Sequence, residues 1–311
     1  MSHSFKGRDI VSIKDFTREE VDYICKVANG MKDLYLGKGT PRPLNGEIMS
    51  SLFYEPSTRT RLSFESAMLK LGGNVIGFSD PTWSSAAKGE NISDSIKCIE
   101  SYCDVIVIRH KLEGSSKLAS EVANIPIICG GSGTKEHPTQ ALLDILTIKN
   151  EVGEIDGLKI ALAGDLKYGR TVKSLAYALS LYDVELFFVS PTLLKVRSEV
   201  LKSLDDAKIK YSEYEDLDSI IDKADVIYAT RIQKERFVEE SEYEKVRGSY
   251  KFDINLMKKG KESMVLMHPL PRVDEIGFEV DALPNAVYFK QPYYGVLMRM
   301  ALLGLVLGKV S

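Results

Sequence analysis

Short apolar runs alternate along this chain with longer segments in which apolar residues recur at helical spacing. Apolar runs bounded by turn residues are typical of buried strands, and a period of about 3.6 residues is typical of amphipathic helices. Because neighbouring parallel strands need a crossover connection, the alternation predicts parallel sheets flanked by helices. The strands predicted in this way are 48–54, 75–78, 104–109, 125–129, 158–163, 184–189, 208–212, 225–230 and 264–267.

The segments between these strands carry helix signals. Thr17 and Glu20 form a capping box that opens a first helix, and Pro138 stands at another helix start. The glycine-rich segment 130–137 predicts a turn, and the C-terminal segment predicts a long amphipathic helix over 293–309. Further helical segments are predicted after Ser57 and over 91–102, 115–122, 139–152, 172–181, 195–206 and 217–223.

The strand–helix pattern runs twice along the chain, which predicts two domains. The predicted fold class is α/β, with two doubly wound domains that each have a central parallel sheet flanked by helices. We expect the first domain over residues 1–137, a linking helix over 138–152 and the second domain over 153–287. Residues 288–311 are expected to form a C-terminal helix that packs back on the N-terminal domain.

Composition narrows the class of protein. The chain has 311 residues, 44% of them hydrophobic and 27% charged, which is typical of soluble globular proteins. The net charge of −3 argues against nucleic acid as a partner, because there is no basic excess to neutralise phosphates. Without an apolar run near the ~20 residues of a membrane span, or an apolar signal core at the start, we expect no membrane association and a cytoplasmic location.

The four cysteines are Cys25, Cys98, Cys103 and Cys129. They form no C-x-x-C pair, and each lies in an apolar run. We therefore expect reduced, buried side chains, with neither a zinc site nor disulfides. No metal and no cofactor are expected.

The segment after the first strand carries the strongest chemical signal. Pro56 ends the strand, and Ser57, Thr58, Arg59 and Thr60 then precede or open a helix. A helix N-terminus presents unpaired backbone N–H groups and partial positive charge, so this turn suits an anion. The alternative interpretation is that Ser57 or Thr58 is only an N-cap.

Arginines follow four of the predicted strands: Arg59, Arg109, Arg170 and Arg231. In open parallel sheets, ligands bind beyond the carboxyl ends of the strands. Several guanidinium groups near one ligand imply anionic groups, because arginine binds phosphate and carboxylate through paired N–H bonds. Alternatively, each arginine caps a helix or pairs with a surface acid.

Two further residues are candidates for catalysis. His137 stands at a predicted helix start, where the imidazole tends to stay neutral and can donate a hydrogen bond to a polarised carbonyl oxygen; the alternative is a structural N-cap. Lys88 lies in a polar loop and could equally be an ordinary solvated lysine. The segment 164–171 resembles a phosphate-binding loop, but Arg170 replaces its lysine, so we expect no nucleotide site there. With no nucleophile–base pair in view, the residues favour catalysis by positioning and charge stabilisation.

Taken together, these motifs resemble those of the catalytic chains of the aspartate carbamoyltransferase family. The motifs 57–61 and 137–140 are shared with ornithine carbamoyltransferases, whereas 230–236 and 268–276 are specific to the aspartate enzymes. The matching segments run in order along essentially the whole chain: 57–61, 88–90, 109–110, 137–140, 164–171, 230–236 and 268–276.

The resemblance implies transfer of the carbamoyl group of carbamoyl phosphate to the α-amine of L-aspartate. The products would be N-carbamoyl-L-aspartate and phosphate, in an early step of de novo pyrimidine biosynthesis. By the same resemblance, residues 1–137 bind carbamoyl phosphate, residues 153–287 bind aspartate, and the active site lies in the cleft between the two domains. A homotrimer with shared active sites is implied, and a zinc-containing regulatory chain is a second candidate partner.

The resemblance also implies roles for individual residues. Carbamoyl phosphate would be held by hydroxyls, cations and backbone carbonyls. The phosphate group of carbamoyl phosphate would be held by Ser57, Thr58, Arg59 and Thr60. Its carbonyl oxygen would be polarised by Thr60, Arg109 and His137. Its NH2 group would be received by Gln140 and the backbone carbonyls of Leu270 and Pro271.

Aspartate would be bound through its two carboxylates. Arg170 and Thr171 would take the α-carboxylate, and Arg231 and Gln233 the β-carboxylate. Lys88, which would contact aspartate and take part in catalysis, would come from a neighbouring subunit. Ser84 or Ser85 of the same loop would enter the site together with Lys88. Both serines are candidates because this loop is one residue shorter than in some relatives.

Two alternatives remain beside this hypothesis. Transfer to ornithine is opposed by Arg231 and Gln233, since a cationic side chain would meet a cation. The chain could also be an inert carbamoyltransferase-like subunit that only binds a ligand or a partner protein.

Residues 129–136 depart from the family's usual Asn-Ala-Gly-Asp-Gly-Ser-Asn-Gln, and Glu136 stands where the family has glutamine.

Overall fold

A computed structural model describes residues 4–38, 42–237 and 239–311. The chain divides into two compact units. The first unit comprises Met1–Leu143 with Pro292–Ser311, and the second comprises Asp144–Gln291. The first division falls inside a helix, Pro138–Glu151, so that helix contributes to both units.

The first unit is built on a parallel sheet of four strands. In space their order is β2-β1-β3-β4, and Met49 of β1 pairs with Val75 of β2 and Val105 of β3. The inner strands are buried, whereas the edge strand β2 is half exposed. The strands are β1 Ile48–Phe53, β2 Asn74–Phe78, β3 Val105–His110 and β4 Ile127–Ser132.

Helices flank this sheet. The predicted capping box is confirmed: the Thr17 hydroxyl accepts the Glu20 N–H at 3.3 Å, and the Glu20 carboxylate accepts the Thr17 N–H at 3.0 Å. The helices of this part of the chain are α1 Arg18–Gly30, α2 Lys32–Tyr35, α3 Thr58–Lys70, α4 Ile92–Ile99, α5 Ser115–Val122 and α6 Pro138–Glu151.

The second unit is built on a parallel sheet of five strands in the order β7-β6-β5-β8-β9. Its strands are β5 Lys159–Ala163, β6 Glu185–Val189, β7 Lys210–Tyr214, β8 Val226–Ala229 and β9 Val265–Met267. Its helices are α7 Arg170–Leu179, α8 Ser198–Asp206, α9 Glu240–Val246 and α10 Ile254–Met257. The last helix of the chain, α11 Gln291–Val306, lies almost entirely in the first unit.

The two sheets confirm the predicted α/β class, with a parallel sheet and flanking helices in each unit. The strand order also locates a switch point in each sheet. In the first, the chain winds one way from β1 to β2 and the other way through β3 and β4; in the second, the reversal lies between β5 and β8. Ligands of such sheets bind at these reversals, beyond the strand ends.

Three local predictions are wrong. The turn predicted from Gly130 begins later, because β4 continues to Ser132 while pairing with β3, and Ile128 also bridges to Ile10. Residues 217–223 form hydrogen-bonded turns and not a helix. The C-terminal helix is not amphipathic in its second half, where every residue of 297–306 is buried; a helix that is apolar all round belongs inside a core.

None of the four cysteines takes part in a disulfide bond within the described residues. Cys25, Cys103 and Cys129 are buried, but Cys98 is exposed, so the prediction that all four are buried is wrong for Cys98. Burial raises the pKa of the Cys103 thiol to about 11. Within the described ranges, no helix combines the length and the apolar character that a membrane crossing requires.

Candidate active site

The turn after β1 has the form predicted for an anion site. Ser57 occupies the N-cap position of α3 with extended backbone, yet within the described chain its side chain makes no capping hydrogen bond. Thr58 and Arg59 begin the helix and are exposed, and Thr60 is buried. The interpretation of Ser57 as a structural cap therefore gains no support from the hydrogen bonding. Its hydroxyl and the first N–H groups of α3 stand at the positive end of the helix.

Thr60 and His137 meet in the first unit although they lie far apart in sequence. The Thr60 hydroxyl lies 3.4 Å from His137 Nε2, and both residues are buried. His137 directly precedes α6, and its carbonyl accepts the backbone N–H of Gln140 at 3.0 Å. The half-buried Gln140 is thus fixed one turn into the helix. The structure brings these three predicted residues into one region.

Arg109 reaches the same edge of the sheet from β3. It pairs in register with Phe53 of β1, and its carbonyl accepts the Tyr54 N–H at 2.8 Å. Its guanidinium donates to the Gly130 carbonyl at 3.3 Å and lies 3.2 Å from the Glu55 carboxylate. The ends of β1, β3 and β4 therefore supply the predicted carbamoyl-phosphate residues of this unit, at the switch point.

Glu55 is a residue that the sequence analysis missed. It neutralises part of the charge of Arg109, whose side chain is only 10% exposed. The alternative interpretation, pairing with a surface acid, therefore applies to Arg109 only in part, because Glu55 is itself half-buried. A carboxylate two residues after a strand and next to a predicted anion site was the available signal.

Lys88 lies in the loop that follows β2. It is exposed and ends a short 3-10 helix, Ser85–Lys88. With Ser84 and Ser85 it lines a cavity of about 640 Å³, whose walls among the described residues also include Phe78. The Ser84 hydroxyl is engaged locally, donating to the Pro81 carbonyl at 2.8 Å.

The second unit gathers the residues predicted to bind two carboxylates. Arg170 and Thr171 are the first two residues of α7, and both are half-buried. Arg231 and Gln233 follow β8 and are also half-buried. Because β5 and β8 are neighbours in the sheet, both pairs follow adjacent strands at the switch point.

Asp165 connects these two loops and was not assigned a role from the sequence. Its backbone N–H donates to the Thr230 hydroxyl at 3.1 Å, and that hydroxyl donates to the Ala163 carbonyl at 3.0 Å. Burial raises the pKa of the Asp165 carboxyl, against the lowering effect of backbone N–H groups that include those of Tyr168 and Gln233. The Asp165 carboxylate accepts the Tyr168 N–H at 2.9 Å, so Asp165 bonds to its own loop through Oδ1 and to the Thr230 loop through its backbone N–H.

Gly164 makes this close approach possible. Its φ is +111°, and a Cβ placed on it would lie 2.1 Å from the Thr230 carbonyl oxygen. Only glycine adopts such a backbone without strain and leaves room for the neighbouring strand end. Gly169 serves chain packing in the same way, since a Cβ there would lie 2.4 Å from the Asp165 carbonyl oxygen.

Leu270 and Pro271 follow the end of β9. Leu270 is half-buried, with φ of 56°, and Pro271 is exposed. The peptide bond between them is cis.

Residues 8–150 match the family model "Aspartate/ornithine carbamoyltransferase, carbamoyl-P binding domain", and residues 156–306 match its "Asp/Orn binding domain". The catalytic subunit of aspartate carbamoyltransferase from Thermococcus onnurineus is 53% identical over 304 residues, covering 98% of each chain. That from Methanocaldococcus jannaschii is 52% identical over 297 residues, covering 95% of this chain and 96% of the relative.

Solved structures agree. The catalytic subunit of M. jannaschii aspartate transcarbamoylase superposes with a TM-score of 0.89 at 51% identity, covering 96% of this chain and 98% of its own. Aspartate transcarbamoylase from Trypanosoma cruzi, in complex with carbamoyl phosphate and aspartate, superposes with a TM-score of 0.93 at 41% identity, covering 98% of both chains.

Proposed function

The chain belongs to the aspartate/ornithine carbamoyltransferase family, and from that premise we propose that it is the catalytic subunit of an aspartate carbamoyltransferase. It transfers the carbamoyl group of carbamoyl phosphate to the α-amine of L-aspartate. The family predicted from the motifs is confirmed, and the relatives just described are named for aspartate and not for ornithine.

One observation carries the choice of acceptor. Arg170 and Arg231 follow adjacent strands of one sheet, and the hydrogen bond from the Asp165 backbone N–H to the Thr230 hydroxyl joins the two strand ends. Two guanidinium groups held in this way suit a small molecule with two carboxylates, because each can bind one carboxylate through paired N–H bonds. An ornithine side chain would bring an ammonium group to a cation. Arg170 and Thr171 take the α-carboxylate, and Arg231 and Gln233 the β-carboxylate.

Carbamoyl phosphate binds through three groups of residues. Its phosphate is held at the N-terminus of α3 by the hydroxyls of that turn and the Arg59 guanidinium. This placement is supported by Ser57, whose side chain makes no capping hydrogen bond among the described residues. Thr60, Arg109 and His137 donate to the carbonyl oxygen. Gln140 and the carbonyl groups of Leu270 and Pro271 receive the NH2 group.

The reaction needs stabilisation of charge and no covalent intermediate. The aspartate nitrogen forms a bond to the carbonyl carbon, and negative charge grows on the carbonyl oxygen. The C–O bond to phosphate then breaks, and the nitrogen loses its proton to the departing phosphate. Donors already in place lower the barrier, since removing one such donor typically costs about 10²–10³ in kcat.

The assembly and setting are part of the same proposal. The exposed Lys88, with Ser84 or Ser85, completes the site of a neighbouring subunit, so the active form is a homotrimer with shared sites. The relatives' designation as catalytic subunits supports a separate regulatory chain as a partner. The product enters pyrimidine biosynthesis. A cytoplasmic location suits the four free cysteines, because disulfides are rare in that reducing compartment.

Parallel assays of the purified chain test the function. Carbamoyl phosphate is supplied with L-aspartate in one series and with L-ornithine in the other, and the expected result is turnover with aspartate alone. Turnover with ornithine would overturn the choice of acceptor, and an absence of product from a verified trimer would favour a purely binding subunit.

Arg231→Ala tests the residue assignment within the same assay. We expect KM for aspartate to rise far more than KM for carbamoyl phosphate, because only the β-carboxylate loses its partner. Arg18→Ala is the control, as this arginine lies on α1 with its side chain 40% exposed beside Asp22. Equal increases in both KM values for Arg231→Ala would show that Arg231 does not bind aspartate.

A further inference from the structure

A buried polar cluster lies beneath the turn that carries Leu270 and Pro271. His268 is 1% exposed and Glu275 is 7% exposed. His268 Nε2 and Glu275 Oε1 are 2.8 Å apart. Buried polar groups are costly unless each has a partner, so the hydrogen bonds of this cluster specify its arrangement closely.

The hydrogen bonds determine where the imidazole proton sits. The backbone N–H of Leu270 donates to His268 Nδ1 at 2.8 Å. A backbone N–H can only donate, so Nδ1 carries a lone pair and the ring proton is on Nε2. The Nε2–H group then donates to Glu275 Oε1. His268 is therefore neutral, with one ring nitrogen holding the turn and the other anchored in the protein.

Glu275 completes the arrangement on the other side. Its Oε2 accepts the backbone N–H groups of Val273 at 3.0 Å and Asp274 at 3.1 Å. An ionised carboxylate only accepts hydrogen bonds, which matches the three donors around it.

The backbone of His268 is anchored as well. Its N–H donates to Gln291 Oε1 at 2.7 Å, and Gln291 Nε2 donates to Asp144 Oδ1 at 2.8 Å. Gln291 and Asp144 are buried. The residue that holds the turn is thus itself fixed at both the main chain and the side chain.

The turn needs such support. Leu270 has φ of 56°, in the left-handed region that residues with a side chain rarely adopt. Among the described non-glycine residues, only Lys208, which is exposed, shares a positive φ. A backbone of this kind persists only where the surroundings hold it, and such positions cluster at functional sites.

We propose that His268 and Glu275 are a positioning pair that holds the Leu270–Pro271 turn so that its carbonyl oxygens receive the NH2 group of carbamoyl phosphate. This inference rests on the proposed function, since it assigns a support to one of the contacts that function requires. The pair touches no substrate atom. Its effect is selective recognition of the NH2 group, which a purely structural pair would not provide.

The test compares carbamoyl phosphate with acetyl phosphate, which carries a methyl group in place of NH2. Binding of both is measured by calorimetry for the wild-type chain and for His268→Ala, His268→Asn and Glu275→Gln. Loss of well-placed acceptors for the NH2 group should cut the preference for carbamoyl phosphate by about tenfold in His268→Ala, with acetyl phosphate affinity nearly unchanged. kcat with aspartate should fall in parallel.

The other variants separate the two halves of the pair. Asn at position 268 can still accept the Leu270 N–H, because asparagine side chains accept from the backbone two residues on, so it should restore part of the preference. Glu275→Gln keeps the size but places an NH2 group opposite either His268 or the backbone donors, so the preference should fall as in His268→Ala. This isosteric change keeps the test valid even when His268→Ala does not fold.

The outcomes are distinct. Folded variants that keep the full preference would overturn the positioning role, as would an equal loss of affinity for both acyl phosphates. A wild-type chain that prefers carbamoyl phosphate but transfers nothing to aspartate would overturn the proposed function and leave the positioning role standing.

Discussion

Replacing Gly164 with alanine tests the claim that a close backbone approach joins the two carboxylate-binding loops. The added Cβ would lie 2.1 Å from the Thr230 carbonyl oxygen and 2.8 Å from its hydroxyl. The surrounding backbone has little freedom to move away. The Gly164 N–H donates to Val189 at 3.0 Å on one side, and the Thr230 N–H donates to Ala163 at 2.8 Å on the other.

Two effects contribute to the expected loss of stability. The φ of +111° costs about 1–3 kcal/mol for a residue with a side chain. Forcing a methyl group into a filled space costs a further ~1–3 kcal/mol. The free energy of unfolding should therefore fall by about 2–6 kcal/mol.

Gly153→Ala separates these two effects. Gly153 lies in the same unit with nearly the same φ, +108°, but a Cβ there would meet no atom of the described residues within 4 Å. It should show the backbone cost alone, about 1–3 kcal/mol. Urea unfolding of both variants gives the two free energies, and their difference isolates the clash with Thr230.

Steady-state kinetics supply the functional half of this prediction. A displaced Thr230 would disturb Asp165 and, with it, the relative position of Arg170 and Arg231. KM for aspartate should rise in Gly164→Ala and stay unchanged in Gly153→Ala. Equal destabilisation of the two variants, or an unchanged KM for aspartate in Gly164→Ala, would refute the argument that this contact organises the site.

Two further predictions concern Glu136 and the shared site. Burial raises the pKa of Glu136 despite a hydrogen bond from Ser12, so ionisation of Glu136 lowers the free energy of unfolding as the pH rises above the usual value of 4.5. Urea unfolding should show that Glu136→Gln raises the free energy of unfolding at pH ~8 and leaves it unchanged at pH ~4. A stabilisation that grows on acidification would contradict this reasoning. Equal mixing of inactive Lys88→Ala and Arg109→Ala chains should restore about a quarter of the active sites, because half the chains carry Arg109 and half of their neighbours carry Lys88. A mixture no more active than either variant alone would exclude a shared site.

Much of the architecture was predictable from local pattern. Buried parallel strands are short apolar runs, and the positions of β1, β3, β5 and β8 follow from those runs within one or two residues. The failures occur where pairing overrides local preference. The glycines after Cys129 favour a turn, yet β4 continues through them because β3 supplies hydrogen-bond partners.

The family motifs and the strand-end arginines were visible in the sequence, but their supports were not. The sequence around Glu55, around Asp165 and around the pair His268 and Glu275 is ordinary. Their importance follows from burial and from partners that come from other strands. A carboxylate in the sequence gives no sign of whether it is solvated or enclosed.

The order of residues alone was enough to indicate which segments form strands and helices, which polar residues follow the strand ends and which family the motifs match. These depend on periodicity and on residues close together in the chain. The folded chain was needed to show that Arg109 lies against Glu55, and that the Asp165 backbone bonds to Thr230, 65 residues further along. The reason is physical: a buried polar group must be paired where it lies, and the fold brings its partner from a distant part of the chain.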